Sequence, residues 1–299
     1  MTFTPVLPLL LFCSYLFAQS PITQSQKYLG ENPPGSKPVK FAPGIISLDN
    51  QHEFGSVFSN NGDEFFYAVD KDGKTQTKCV KFVNGKWSEP FTILSDAVFS
   101  YNDPMLSPDG NRLYFISNRP LTNTGKEKDY DIWYVERTRS GWSLPVNAGA
   151  KVNSVKHEYY ISFTKKGSMY FSSNRMATKE RTNNFDIYSL PVTGKGSKQP
   201  VSLPGMINTE EYEADVYVAG DESYVIFCAV RAEGYGAGDL YISFKKKDGT
   251  WTKAKNMGSV INTSGHELCP FVTADGKYLF YTSNKDIYWV NASIIDILR

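Results

Sequence analysis

Short runs of alternating apolar and polar residues, separated by turn signals, recur along most of the chain. A typical run is Arg112–Ser117 (RLYFIS), in which alternate side chains face opposite sides of a strand. Tight hairpins are indicated by Asn61-Gly62, Asp109-Gly110 and Asp275-Gly276. No segment keeps a helical period over several turns. The pattern therefore predicts an all-β protein built from hairpins.

These hairpins belong to a repeat of about fifty residues that occurs five times, with copies starting near residues 52, 100, 157, 212 and 266. Each copy divides into four short antiparallel strands. An aspartate opens the third strand of the last four copies, namely Asp131, Asp186, Asp239 and Asp286. Four-stranded units repeated at even spacing are typical of a β-propeller, in which each unit forms one blade.

The linker that precedes each copy predicts how the ring closes. No linker follows the fifth copy, whereas a similar segment at residues 37–53 precedes the first one. We therefore expect a strand at about residues 37–47 to pair with the last blade and to remove an open sheet edge. The sequence predicts a five-bladed propeller over residues 37–299, with the N-terminal strand closing the last blade and a lead-in at residues 19–36.

The first eighteen residues have the composition of a signal peptide. They carry no charged side chain, and their apolar run at residues 6–17 is too short to span a bilayer. Cleavage after Ala18 is consistent with this interpretation. The sequence therefore predicts a secreted or periplasmic protein that does not insert into a membrane.

Charge and cysteine content narrow the choice of partner and compartment. The 299 residues include 32 Lys and Arg against 31 Asp and Glu, a net charge of +1, which gives no basic excess for nucleic-acid binding. Cys79, Cys228 and Cys269 follow the predicted signal peptide. Cys228 and Cys269 lie in apolar runs and are interpreted first as buried apolar residues, with a disulfide between them left open.

Several motifs of the repeat resemble those of a known family. SPDGNRLYFISNRP (residues 107–120) followed by DIWYVE (residues 131–136) resembles the TolB-type, WD-repeat-like propeller repeat of bacterial envelope proteins. The segment at residues 28–47 is similar to the lead-in of secreted single-propeller proteins of Bacteroidetes. The resemblance covers residues 28–290 and implies a propeller of the cell envelope. It does not imply one function, because propellers serve as scaffolds, receptors and enzymes.

All three histidines of the chain are followed by glutamate at the start of a predicted first strand, in the pairs His52-Glu53, His157-Glu158 and His266-Glu267. Glu213 occupies the same position in the fourth copy, and Asp103 lies near it in the second. Because first strands line the channel of a propeller, we expect these side chains near one mouth of the channel.

Three interpretations of this ring remain open. His52, His157 and His266 are candidates for binding a polar ligand or a divalent metal ion. If the protein is an enzyme, acid and base for glycoside chemistry would come from the carboxylates, namely Glu53, Asp103, Glu158, Glu213, Asp215 and Glu267. Otherwise each glutamate binds backbone N–H groups between neighbouring blades, with the histidine packed beside it.

Arginines recur at the end of the second strand, at Arg119, Arg175 and Arg231. One interpretation is a salt bridge from each arginine to the aspartate that opens the third strand. The other is a set of anion-binding groups on the face that carries the loops between the second and third strands.

The sequence thus favours a non-enzymatic binding or scaffold propeller that engages an envelope protein or glycan through its loops and channel mouth. The alternative is a glycan-active hydrolase or lyase that uses the ring of acids and histidines. No cofactor is predicted apart from the optional divalent ion. The loops at residues 120–130 and 176–185 are expected to face a partner.

Overall fold

The computed structural model describes residues 22–122, 125–191 and 199–299. The predicted signal peptide at residues 1–18 lies outside the described residues. The described chain contains a short 3₁₀ turn at Tyr28–Gly30, a final helix α1 at Ser293–Ile297, and strands otherwise. Among the described residues, no helix has the length and apolar character needed to cross a membrane.

The strands are short, as the spacing of the turn signals predicts. In chain order they are β1 (Val39–Lys40), β2 (His52–Phe58), β3 (Glu64–Lys71), β4 (Lys74–Val83), β5 (Lys86–Trp87), β6 (Phe91–Leu94), β7 (Asn102–Leu106), β8 (Arg112–Ser117), β9 (Asp131–Thr138), β10 (Gly141–Trp142), β11 (Val146–Asn147), β12 (Glu158–Phe163), β13 (Met169–Ser173), β14 (Asp186–Leu190), β15 (Val201–Ser202), β16 (Tyr212–Val218), β17 (Tyr224–Val230), β18 (Asp239–Phe244), β19 (Lys255–Asn256), β20 (Leu268–Val272), β21 (Tyr278–Ser283) and β22 (Asp286–Asn291).

These strands form five antiparallel sheets, one for each copy of the repeat. Blade 1 is β2-β3-β4-β5 with β6 also on β4, and blade 2 is β7-β8-β9-β10 with β11 also on β9. Blade 3 is β12 to β15, and blade 4 is β16 to β19. Blade 5 is β20-β21-β22 completed by β1. The predicted five-bladed propeller of four-stranded blades is confirmed.

The N-terminal strand closes the ring as expected. In the antiparallel pair of β1 with β22, Val39 is opposite Trp289 and Lys40 is opposite Tyr288. Phe41, which follows β1, is fully buried and contacts Phe280 and Trp289 at ring-centroid distances of 5.0 and 5.2 Å. Aromatic packing therefore fixes a strand pairing that is only two residues long.

The first strand of every blade is interrupted by a β-bulge at the same place. The residue at each bulge has a positive φ between 39° and 54°; these residues are Gly55, Asp103, Tyr160, Asp215 and Cys269. A bulge shifts the alternation of a strand and turns a side chain in a new direction. Four of the five residues are not glycine, and a left-handed conformation costs such a residue about 1–3 kcal/mol.

Candidate functional site

In blades 3, 4 and 5 the glutamate at the repeated position is a buried acceptor of hydrogen bonds from the backbone. Glu158 accepts hydrogen bonds from the backbone N and Oγ of Ser154 at 2.8 and 2.6 Å, and from Oγ of Ser173 at 2.7 Å. Its side chain is fully buried. The carboxylate therefore ties the linker before blade 3 to the end of the second strand of that blade.

The same arrangement recurs in the next two blades. Glu213 binds the backbone N and Oγ1 of Thr209 at 2.9 and 2.6 Å, and Glu267 binds those of Thr263 at 2.9 and 2.7 Å. In each case a serine or threonine lies four residues before the glutamate. This geometry matches the third interpretation of the ring, in which glutamate binds backbone N–H groups.

Glu53 of blade 1 has the same position without the same partners. Asp49 replaces the serine or threonine, and neither carboxylate oxygen of Glu53 makes a hydrogen bond of normal geometry within the described residues. Burial raises the pKa of Glu53 to about 7, although the backbone at Leu48 opposes this shift. Glu53 is thus a buried acid without the stabilisation that its counterparts have.

The three histidines do not converge on one point. His157 Nδ1 accepts a hydrogen bond from the backbone N of Tyr130 at 3.1 Å. His266 Nε2 lies 3.2 Å from Sγ of Cys228, and the ring of His52 packs on Phe54. Burial lowers the pKa of all three imidazoles. Within the described chain, no group of three or more metal-ligating atoms within 4.8 Å of one another includes a histidine.

The arginines bind the buried glutamates rather than the predicted aspartates. Arg175 Nη2 lies 3.2 Å from Glu158 Oε1, and Arg231 Nη2 lies 3.3 Å from Glu213 Oε1. The expected bridge to the aspartate that opens the third strand is therefore wrong for these two. The reason is register: Glu158 is paired with Ser173, so an arginine two residues further along reaches back to that glutamate. Arg119 packs over the ring of Trp133, 4.9 Å from its centroid.

The aspartates that open the third strands have other partners. Asp131 accepts hydrogen bonds from Lys128 Nζ at 2.7 Å and Asn147 Nδ2 at 2.8 Å. Asp239 accepts them from the backbone N of Tyr235 at 2.7 Å and of Gly236 at 3.1 Å. These aspartates stabilise the loops that lead into the third strands.

The bulges bring a second, unexpected set of groups together at the centre of the ring. Asp103, Asp215 and Cys269 come from blades 2, 4 and 5, and their ligand atoms lie within 4.8 Å of one another. We call these three residues the axial cluster. Gly55 of blade 1 leaves room for it, because a Cβ there would lie 2.7 Å from Asp103 Oδ1. Tyr160 of blade 3 donates a hydrogen bond to the carbonyl of Pro270 at 2.8 Å.

A large cavity opens at the mouth of the channel where first strands turn into second strands, opposite the mouth that carries the histidines. We call this cavity, of about 720 Å³, the funnel. All five blades line it, and its apolar lining includes Phe58, Met105, Phe163, Tyr217, Tyr224 and Phe271. Lys165, Asp221 and Arg299 are its charged lining residues.

The sequence did not predict the funnel, although the repeat carries a signal for it. One lining residue of each blade lies two positions after the bulge, namely Val57, Met105, Ser162, Tyr217 and Phe271. Aligning the copies on the glutamate position puts these residues in one column.

The cysteines Cys79, Cys228 and Cys269 are all buried and unbridged.

Comparison with known proteins shows a similarity of fold and nothing beyond the fold. No protein-family model and no curated protein sequence matches the chain. A protein of unknown function from Dyadobacter fermentans matches with 16% identity and a TM-score of 0.51, over 87% of this chain and 83% of its own. A protein described as a TolB from Agrobacterium tumefaciens matches with 13% identity and a TM-score of 0.50, over 78% and 70%.

The TolB of Acinetobacter baumannii matches with 12% identity and a TM-score of 0.49 over 80% of this chain, which spans 54% of that protein. A prolyl endopeptidase matches with 13% identity and a TM-score of 0.41, over 81% of this chain and 35% of its own. The chain is a β-propeller of the kind found in TolB-like proteins. At these identities the similarity extends to the fold alone.

Proposed function

We propose that the protein is a non-enzymatic binding propeller, secreted or periplasmic, that holds a segment of an envelope protein in the funnel. The observation that carries this proposal is the funnel itself, a cavity of about 720 Å³ to which every blade contributes. Concave, largely preformed cavities with apolar walls and few polar groups are the usual form of a ligand site.

The lining of the funnel favours a protein segment over a glycan. Its aromatic walls suit an apolar anchor residue, which typically dominates the affinity of a protein interface. Asn60 and Asp221 are the amide and the carboxylate among the described lining residues, and serine, threonine and tyrosine hydroxyls are its other uncharged polar groups. Lys165 and Arg299 would pair with acidic groups that flank the anchor.

The burial of the glutamates at the repeated position argues against the glycan-active alternative. Glu158, Glu213 and Glu267 are 0% exposed and are bonded to the backbone, so a polysaccharide would not reach them as acid or base. Among the residues that the structure describes, those lining the funnel include no histidine, cysteine or glutamate.

The proposal is tested by selecting short peptides from a displayed random library on the purified protein and measuring their affinity by fluorescence anisotropy. Phe163 is half-buried in the funnel wall, and F163A should weaken binding at least about tenfold through loss of an apolar contact. F91A is the matched control, because Phe91 is 40% exposed on the outer strand β6. Its affinity should equal that of the wild type.

Two outcomes would contradict the proposal. Failure to enrich any peptide, or enriched peptides that bind F163A and F91A equally well, would remove the funnel as a protein site. A parallel screen on a glycan array covers the other partner class: glycan binding lost in F163A would replace the protein segment with a sugar. Polysaccharide turnover abolished by E158Q, with the fold intact, would establish an enzyme instead.

A further inference from the structure

The axial cluster consists of ligand-type groups that are almost completely removed from water. Asp103 and Asp215 are each 7% exposed, and Cys269 is 1% exposed. The three residues occupy equivalent positions in three different blades and are all turned inward by their bulges. Their meeting is therefore a consequence of the closed ring and not of a local turn.

The two carboxylates have no compensating charge. Cys269 supplies the hydrogen bonds to both, through Sγ to Asp103 Oδ1 at 3.5 Å and through its backbone N–H to Asp215. In the part of the chain that the structure describes, neither carboxylate takes part in an ion pair with lysine, arginine or histidine. Two like charges at this depth require either bound protons or a cation.

We propose that the axial cluster binds one zinc ion, with Asp103, Asp215 and Cys269 as its protein ligands. Zinc accepts carboxylate oxygen and thiolate sulfur together, whereas calcium and magnesium take oxygen ligands only. The 3.5 Å between Cys269 Sγ and Asp103 Oδ1 is already close to the roughly 3.5 Å that separates two ligands of tetrahedral zinc. Water would supply the fourth ligand.

The funnel gives the ion a path to the cluster. The funnel wall includes Met105, Tyr217 and Phe271, each two residues after a member of the cluster on the same strand. Two residues of a strand span roughly 6–7 Å, so the cluster lies just behind the floor of the funnel. A hydrated ion that enters the funnel has a short distance left to travel.

Protons compete with the ion for this site. Burial raises the pKa of Asp103 and of Asp215 above the ordinary value, and the charge of Asp103 adds to the shift of Asp215, whereas hydrogen bonds from Cys269 oppose both shifts. Burial also raises the pKa of the Cys269 thiol. Because zinc binds the deprotonated carboxylates and thiolate, its affinity should rise with pH.

The test uses the purified protein, freed of metal with a chelator and titrated with ZnCl₂ or CoCl₂ alone. We expect one equivalent of zinc by calorimetry and, with cobalt, a thiolate-to-metal charge-transfer band in the near ultraviolet. Loss of an outer-shell group commonly costs 10–100-fold in metal affinity, so D215N and C269S, which each remove a ligand, should cost at least about tenfold. C269S should also abolish the band.

C79S is the matched control, because Cys79 is equally buried but lies in β4 of blade 1, outside the cluster. It should keep the stoichiometry, the affinity and the band. D103N supplies a further ligand variant of unchanged shape in case one of the others fails to fold. The proposal is overturned if the wild type binds no zinc, if the cobalt band is absent, or if binding in folded D103N, D215N and C269S equals that of C79S.

Discussion

At the scale of single residues, the same glutamate position produces two opposite energetic situations. Glu158 exchanges water for two hydroxyl donors, a backbone N–H and Arg175, and these partners offset part of the burial that raises its pKa. Glu53 is as deeply buried but lacks such donors among the described residues. The repeat has kept the residue in blade 1 without the hydrogen bonds that favour its charged form.

This difference predicts opposite effects of one substitution in two blades. E158Q should lower the free energy of unfolding by about 1–3 kcal/mol, because it leaves buried donors unpaired. E53Q should leave stability unchanged or raise it, because it removes an uncompensated buried acid. Urea unfolding of the two variants and the wild type measures both effects. An equal loss of stability in both variants would contradict this account.

Glu53 also predicts how stability depends on pH. Its folded-state pKa of about 7 lies above the ordinary value of 4.5, with Asp286 raising it further and Lys78 lowering it. The folded state therefore holds the proton more tightly, and this favourable contribution is lost as pH rises from about 4.5 through about 7. Glu53 should therefore contribute less stability at about pH 8 than at about pH 5, so the wild type should lose more stability over this range than E53Q does.

The pH dependence that remains in E53Q combines groups of both signs: Asp103 and Asp215, whose raised pKa values act in the same direction as that of Glu53, and the three histidines, whose lowered pKa values act in the opposite direction. Urea midpoints of the wild type and E53Q are measured across this pH range in the presence of a chelator. The difference between the two proteins gives the contribution of Glu53. The explanation fails if E53Q and the wild type show the same dependence on pH.

At the scale of elements, the packing of Phe41 stabilises the closing strand β1 more than the backbone hydrogen bonds of β1 with β22 do. β1 contributes two residues to blade 5, whereas Phe41 is fully buried among Phe65, Phe280 and Trp289. F41A should therefore lower the free energy of unfolding by about 3–5 kcal/mol. V39A is the control in the strand itself, since Val39 is 45% exposed, and it should cost less than about 1 kcal/mol.

Thermal and urea unfolding of F41A and V39A measure the comparison. A comparable effect of both substitutions would mean that the strand pairing, and not the packing of Phe41, holds the ring closed. Loss of that packing would also free β1 and expose the edge of β22, so F41A should self-associate more than V39A in sedimentation velocity.

The bulges explain why the site was harder to predict than the strands. Hairpin turns such as Asp109-Gly110 and strands such as Arg112–Ser117 contain characteristic residue types, so they can be recognised in the sequence. The bulge position holds glycine, aspartate, tyrosine and cysteine in different blades, so no residue type marks it. A strict two-residue alternation misses the change of direction, and with it the convergence of Asp103, Asp215 and Cys269.

At the scale of the whole molecule, the sequence predicts the closed five-bladed ring but not at which end of the channel a cavity forms. The five copies of the repeat, and the linker-like segment that precedes the first copy instead of following the last one, are enough to predict that the ring closes. Both features can be read from the order of segments along the chain. The size of each mouth depends on how five inner strands pack against one another. His157 and His266 are held by Tyr130 and Cys228 at one mouth, while the funnel lies at the other.

The separation of the two mouths leads to a prediction for the histidines themselves. The triple variant H52A/H157A/H266A should bind a funnel-selected peptide with the affinity of the wild type, because no histidine lines the funnel. It should lose some stability through the contacts of His157 with Tyr130 and of His266 with Cys228. Anisotropy and thermal unfolding of this variant, beside F163A, measure both properties. A loss of peptide affinity in the folded triple variant that matches the loss in F163A would instead place the ligand across the whole channel, since only an occupant that reaches both mouths would be sensitive to both sets of side chains.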